Sequence, residues 1–207
     1  ASVTLRSEGE PEHEIVFVGN VMIDSLLSAL PRAQATRYAE QQGLDGTHVV
    51  VTLHRPSNVD DPERLAALVQ ELEAVAADRR VLFPMHPRTR GRLDTLGLAF
   101  RRVEALDPLS YLHMIDAVRG AWCVITDSGG LQEETTALGV PCFTLRENTE
   151  RPVTVVEGTN QLVTELRQLA ALVARNPKRG HVGVPEGWDG LAGTRVIEAL
   201  TRPVATA

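Results

Sequence analysis

Short unbroken runs of apolar, largely β-branched residues punctuate this chain. Each run ends in polar or turn-forming residues and leads into a stretch with helical spacing. The clearest runs are His48-Val49-Val50-Val51-Thr52-Leu53, Val81-Leu82-Phe83-Pro84-Met85, Trp122-Cys123-Val124-Ile125-Thr126 and Pro141-Cys142-Phe143-Thr144-Leu145. Continuous apolar character, in place of alternation with polar residues, describes strands covered on both faces, the condition of a parallel sheet between helices. Ile15-Val16-Phe17-Val18 reads as another strand and Phe100-Arg101-Arg102-Val103 as a weaker one. Helical spacing predicts helices beginning at Ile23 and over 64–77, 109–117, 131–138, 163–174 and 194–200, with Asp61 as N-cap and Pro62 in the first helical position of the second. The fold class is therefore α/β, a doubly wound, Rossmann-like parallel sheet. Ligands of such sheets lie outside the carboxyl ends of the strands, so polar residues just after a strand carry the most weight.

Composition narrows the classes of partner. The 207 residues include 21 Lys and Arg against 27 Asp and Glu, a net charge of −6, with 4% aromatic residues. Such a chain lacks the basic face and stacking platforms of nucleic-acid binding. No apolar run approaches the roughly 18 residues of a membrane helix, so neither nucleic acid nor membrane is an expected partner. Cys123 and Cys142 sit in apolar runs without metal-ligand spacing and are expected to be buried, free core residues. No basic-then-apolar leader opens the chain, and the cytoplasm is the expected compartment.

Four post-strand segments can carry chemistry. In Thr126-Asp127-Ser128-Gly129-Gly130-Leu131-Gln132-Glu133-Glu134 a buried strand passes into a helix. Ser128 suits an N-cap, and Gly129 and Gly130 leave the helix's free N–H groups open to an anion such as phosphate. Glu134 follows Gly130 by one turn on the same face, where a carboxylate would repel phosphate but accept hydrogen bonds from a ribose diol. A plain capped helix with glycines for tight packing accounts for the same spacing. His54 and Arg55 follow the 48–53 strand and suit proton transfer and diphosphate binding; the alternative is a histidine bonded to a loop carbonyl beside a solvated arginine. His86, with Pro84 and Pro87 nearby, fits a rigid turn or a ligand contact equally. Arg146-Glu147-Asn148-Thr149-Glu150-Arg151-Pro152 is either a solvated loop or a wall of the same pocket. His13, His48, His113 and His181 have no ligand-like spacing, and no Walker, GxSxG or HExxH run occurs, so no metal site is expected.

These segments, in this order, resemble the non-hydrolysing UDP-N-acetylglucosamine 2-epimerases. The matching stretches include Gly19-Asn20-Val21-Met22-Ile23-Asp24, Thr52-Leu53-His54-Arg55, Pro84-Met85-His86-Pro87, the Ser128 motif, the loop from Arg146 to Pro152 with Gly158-Thr159-Asn160, and Trp188-Asp189-Gly190. The resemblance implies the second, nucleotide-binding half of a two-domain glycosyltransferase-B-type fold. Residues 1–14 would be an interdomain segment, 15–183 the UDP-binding domain and 184–207 a tail helix, with the N-terminal catalytic half absent. It further implies a cytoplasmic enzyme of cell-envelope polysaccharide synthesis without a cofactor, homodimeric in its full-length parent. Its reaction interconverts UDP-GlcNAc and UDP-ManNAc by eliminating UDP to a 2-acetamidoglucal and adding it back.

Residue by residue, the resemblance implies that Ser128, Gly129 and Gly130 hold the diphosphate and Glu134 the ribose. It makes His54 the active-site histidine and sets Arg146 and Arg151 at the rim of the nucleotide pocket. His86 matches a motif that lies near a second, activating UDP-sugar in some bacterial members. Those members carry a further arginine where this chain has Pro56, so that contact is not expected here. Breaking the anomeric bond leaves charge on the β-phosphate, which the Ser128 helix end, Arg55 and protonated His54 would stabilise. No residue is placed convincingly as the C2 base, so the chain is expected to bind UDP without epimerising alone. Rival readings are the donor-binding half of a glycosyltransferase, a scaffold domain and a hydrolysing epimerase.

Overall fold

The computed structural model describes residues 2–175 and 183–201. Its elements in chain order are α1 (Ser2–Ser7), α2 (Val21–Ala35), α3 (Tyr38–Gln41), β1 (Val49–Thr52), α4 (Pro56–Val59), α5 (Pro62–Val75), β2 (Val81–Pro84), α6 (Pro87–Leu96) and β3 (Glu104–Leu106). They continue with α7 (Tyr111–Arg119), β4 (Cys123–Thr126), α8 (Gly129–Ala137), β5 (Cys142–Thr144), α9 (Pro152–Val156), β6 (Asn160–Leu162), α10 (Leu169–Ala174) and α11 (Ala192–Thr201). The chain divides into two compact units, Ala29–Val184 and the pair of segments Ala1–Ser28 and Pro185–Ala207.

The larger unit holds a six-stranded sheet in the order β3-β2-β1-β4-β5-β6, with every neighbouring pair parallel. This is the doubly wound α/β class the apolar runs imply. Strand order reverses at β1 and β4, which pair Val50 with Val124 and Thr52 with Thr126, so the ends of these two strands flank the crevice that receives ligands. Successive strand residues face opposite sides. Val49, Val51 and Leu53 join Leu65, Leu68 and Leu72 of α5 and Leu169 of α10, whereas Val50 and Val124 join Ala117 and Val118 of α7 and Leu131 of α8. Helices on both faces are the reason the strands read as unbroken apolar runs. Cys123 and Cys142 are buried in this core.

The smaller unit is organised by close backbone contacts and one carboxylate. Asp24 accepts hydrogen bonds from the N–H groups of Ala192 and Gly193, at 3.2 and 2.7 Å, and so caps α11. A Cβ added to Gly19 would lie 2.2 Å from the carbonyl oxygen of Gly187, which explains the glycine there. The expected strand at 15–18 does not form. Val16 and Phe17 are half exposed, and the segment pairs with no strand among the described residues. β-branched composition makes a strand only where a sheet edge receives it.

Three further differences have local causes. The strand expected at 100–103 lies just beyond, at β3. The helix expected over 163–174 is confined to a 3-10 turn at Leu166–Gln168 and α10, since β6 takes up the residues before Val163. Helix α6 and strand β6 are unforeseen: α6 buries only Thr89 and Leu93, and β6 is a polar edge strand. His181 lies outside the described residues.

Ile125 is fully buried in a central strand. Ile125→Ala is expected to destabilise the chain by roughly 2–5 kcal/mol in chemical denaturation. A loss well under about 1 kcal/mol would contradict the packing described here.

Candidate functional site

The carboxyl ends of β1 and β4 are joined by one buried side chain. Asp127 is fully buried, and its carboxylate accepts from the backbone N–H groups of His54 (3.0 Å) and Arg55 (2.9 Å) and from Asn58 Nδ2 (3.1 Å). His54 Nδ1 also lies 3.1 Å from Asp127 Oδ1. A proton on Nδ1 satisfies that carboxylate, so Nε2 is the working atom of this half-exposed imidazole. Asn58 Nδ2 continues to the Leu145 carbonyl at 3.0 Å, tying in the end of β5. The turn carrying His54 and Arg55 is thus fixed to the residue preceding Ser128.

His86 is the N-cap of α6, its Nδ1 accepting from the Arg88 N–H at 3.1 Å, with Pro87 in the first helical position. Its ring centre stands 5.5 Å from that of His54. The capping bond explains the rigid turn, and the same ring borders a cavity of about 240 Å³ with His54, Ser128, Leu109, Met114 and Leu131. The wall is largely apolar, as a flat ring needs, while Ser128 brings the start of α8 to its edge.

The first turn of α8 presents backbone N–H groups that its own serine does not cap. Ser128 occupies the N-cap position, yet its side chain makes no capping bond; its backbone N–H donates instead to Thr126 Oγ1 at 3.0 Å. A Cβ placed on Gly129 meets no heavy atom within 4 Å, so the approach to these donors is open. Helix N-termini with free donors bind anions. One turn further, Glu134 Oε1 accepts a 3.0 Å hydrogen bond from the Tyr111 hydroxyl of α7. Burial pushes the Glu134 carboxyl above its ordinary range, the Tyr111 bond opposes that, and neighbouring Glu133 adds to it. Burial and the same carboxylate push the Tyr111 phenol up to about 12, so it serves as a donor.

The 146–151 loop is held to α8 by Gln132, which is fully buried. Its Oε1 accepts from Thr149 Oγ1 at 2.6 Å and Asn160 Nδ2 at 3.1 Å, and its Nε2 donates to the Ser128 carbonyl at 3.1 Å. Arg151 lies beside the helix through an ion pair with Glu133 at 3.0 Å. Arg146, nine-tenths buried, pairs with Glu150 at 3.2 Å. With Arg55, Arg64 and Asn58 it lines a larger cleft of about 530 Å³.

His54, His86 and Ser128 therefore share one cavity, with Gly129, Gly130 and Glu134 on the helix that starts at its edge. Arg55 and Arg146 border the neighbouring cleft, and Arg151 stands against Glu133. Three residues escaped the reading of the sequence. Asp127 sits inside the Ser128 motif, where an acidic residue ending a buried strand is itself a signal. Gln132 lies there too, but nothing local marks it as a tie. Tyr111 is distant in sequence from Glu134 and carries no signal.

A family profile described as UDP-N-acetylglucosamine 2-epimerase matches residues 1–201. The UDP-N-acetylglucosamine 2-epimerase of Methanocaldococcus jannaschii is 35% identical over 97% of this chain and 58% of its own length. The UDP-2,3-diacetamido-2,3-dideoxy-D-glucuronate 2-epimerase of Pseudomonas aeruginosa is 40% identical over 96% of this chain and 56% of its own. The crystal structure of the Methanocaldococcus enzyme in complex with UDP-GlcNAc and UDP superposes with a TM-score of 0.84, at 34% identity, over 97% of this chain and 58% of that one. That of the Neisseria meningitidis enzyme bound to UDP-GlcNAc gives 0.82 at 26% identity, over 96% and 58%. This chain spans somewhat more than half the length of these relatives.

A carboxyl with a raised folded-state pKa opposes folding once it ionises. The cost is absent at pH below the unfolded value and grows as pH rises towards the folded one. Glu134→Gln is therefore expected to melt above the unsubstituted chain at neutral pH. The gap should close on acidification below the carboxyl range. Equal thermal midpoints at neutral pH would refute the burial cost.

Proposed function

The chain belongs to the UDP-N-acetylglucosamine 2-epimerase family, and from that membership we propose that it forms the UDP-binding part of an enzyme that inverts C2 of a UDP-2-acetamido sugar. The observation that carries the reading is the uncapped first turn of α8 at the edge of an apolar cavity, with a carboxylate one turn above it. The diphosphate meets the N–H groups of Gly129 and Gly130 and the uncapped Ser128 hydroxyl, the base packs in the apolar cavity, and the ribose diol donates to Glu134. No metal or cofactor is required by these contacts.

Cleaving the anomeric C–O bond delivers negative charge to the β-phosphate. Oriented N–H donors stabilise that charge without having to reorganise, and His54, its ring held by Asp127, lines the same cavity as Ser128. Arg55 follows His54 directly, and Arg146 and Arg151 add positive charge around the loop. The C2 proton needs a separate base. Asp127 is buried under its donors and Glu134 is committed to the ribose, so the 207-residue chain by itself is proposed to bind UDP without epimerising. The sugar is UDP-GlcNAc, interconverted with UDP-ManNAc. The 40% identity to the Pseudomonas relative favours a second reading, in which the sugar is a diacetamido uronate. The same reading sets the protein in the cytoplasm and makes the full-length parent a homodimer.

Calorimetry with UDP tests the assignment. Binding at one site is expected, weakened about tenfold or more by Glu134→Ala, since hydrogen bonds to a charged partner are the strong ones. Gly129→Val should fold, because a Cβ there has space, and should abolish binding by covering the donors. No heat of binding by the unsubstituted chain, or equal affinity in both variants, would defeat the reading. Conversion of UDP-GlcNAc to its C2 epimer by the chain alone would overturn the proposed division of labour.

A further inference from the structure

Glu134 and Tyr111 lie on different helices, and their hydrogen bond joins α7 to α8. We propose that Tyr111 is a positioning residue for nucleotide recognition, its hydroxyl holding the Glu134 carboxylate in the orientation that accepts the ribose diol. This role rests on the UDP-sugar reading above.

The phenol is presented by an immobilised helix. Ser110 caps α7 through the His113 N–H at 3.3 Å, and His113 stacks on Tyr38 with ring centres 4.8 Å apart. Buried Asp116 accepts from the Ala39 N–H at 2.8 Å and from Arg119 Nε at 2.8 Å, while His48 Nε2 lies 2.8 Å from the Ala117 carbonyl oxygen. A donor so fixed fixes its acceptor. With Tyr111 on Oε1, the carboxylate keeps Oε2 and the second lone pair of Oε1 for a diol.

The surroundings make the donor matter. Glu133 is the charged neighbour on the same helix and is itself paired with Arg151. Burial and Glu133 both favour the neutral form of Glu134, whereas the Tyr111 bond favours the ionised one. The ionised carboxylate accepts hydrogen bonds at both oxygens, whereas protonation turns one of them into a donor that competes with the diol. Losing the phenol oxygen therefore frees the carboxylate to rotate and makes it easier to protonate, with the apolar ring still in place.

Tyr111→Phe isolates that oxygen. The Glu134 carboxyl is followed by ¹³C NMR through a pH titration without nucleotide, and the affinities for UDP and 2′-deoxy-UDP are measured across the same range. In the variant, Glu134 is expected to titrate at higher pH than in the unsubstituted chain. Its UDP affinity should fall about tenfold at neutral pH, as for loss of a hydrogen bond to a charged group, and begin its acid decline at higher pH. Binding of 2′-deoxy-UDP, which lacks one of the two hydroxyls, should change much less. An unmoved Glu134 titration, or equal losses for both nucleotides, overturns the role and leaves Tyr111 as packing. Failure of the unsubstituted chain to bind UDP overturns the nucleotide reading and this role with it.

Discussion

The site depends on a carboxylate with no contact to bulk water. Asp127 ends β4 and gathers two backbone N–H groups, an amide and an imidazole from the segment that follows β1. A buried carboxylate is costly unless donors surround it, and removing those donors would leave it unpaired, so the two turns are locked together. They are the turns at which strand order reverses, where a doubly wound sheet opens its crevice. One interaction thereby sets the tautomer of His54, the path of the chain into Ser128 and the angle at which α8 begins.

Around that anchor the site is built from opposed demands. The first turn of α8 keeps its donors uncapped, although a serine stands ready to cap them, and Glu134 is held charged against burial. Each feature costs folding stability, and under the proposed reading each serves a ligand that brings negative charge and hydroxyl donors. Gln132 secures the far side, joining Ser128, Thr149 and Asn160 through one side chain, so the 146–151 loop is tied to the helix. Arg146, by contrast, is turned with Arg55 towards a second cleft. The arginines are therefore distributed around the anchored turns and do not converge on the cavity of His54.

What could be read from the chain beforehand follows the range of the forces involved. The parallel sheet was legible because burial on both faces writes itself into contiguous residues such as Val49, Val50 and Val51. The helix start at Ser128 and the one-turn spacing from Gly130 to Glu134 were legible because helix periodicity and the N-cap position are local. The 15–18 run misled because pairing is a long-range condition that composition does not encode. Polar β6 hid for the complementary reason, as an edge strand needs little apolar character. The Asp127 and Tyr111 contacts join residues far apart in the chain, so only the fold reveals them. Membership of the epimerase family agrees with the motif order, and the sugar chemistry proposed above is drawn from it, since the residues alone leave it open.

The central claim is that main-chain N–H groups at the start of α8 grip the diphosphate of a uridine nucleotide. Amide-resolved NMR during a UDP titration examines it directly. The Gly129 and Gly130 amide signals are expected to shift furthest and to saturate together, with the Glu134 side chain following the same curve. Shifts centred on Arg64 and Arg146 in the second cleft, with the two glycine amides unmoved, would contradict it.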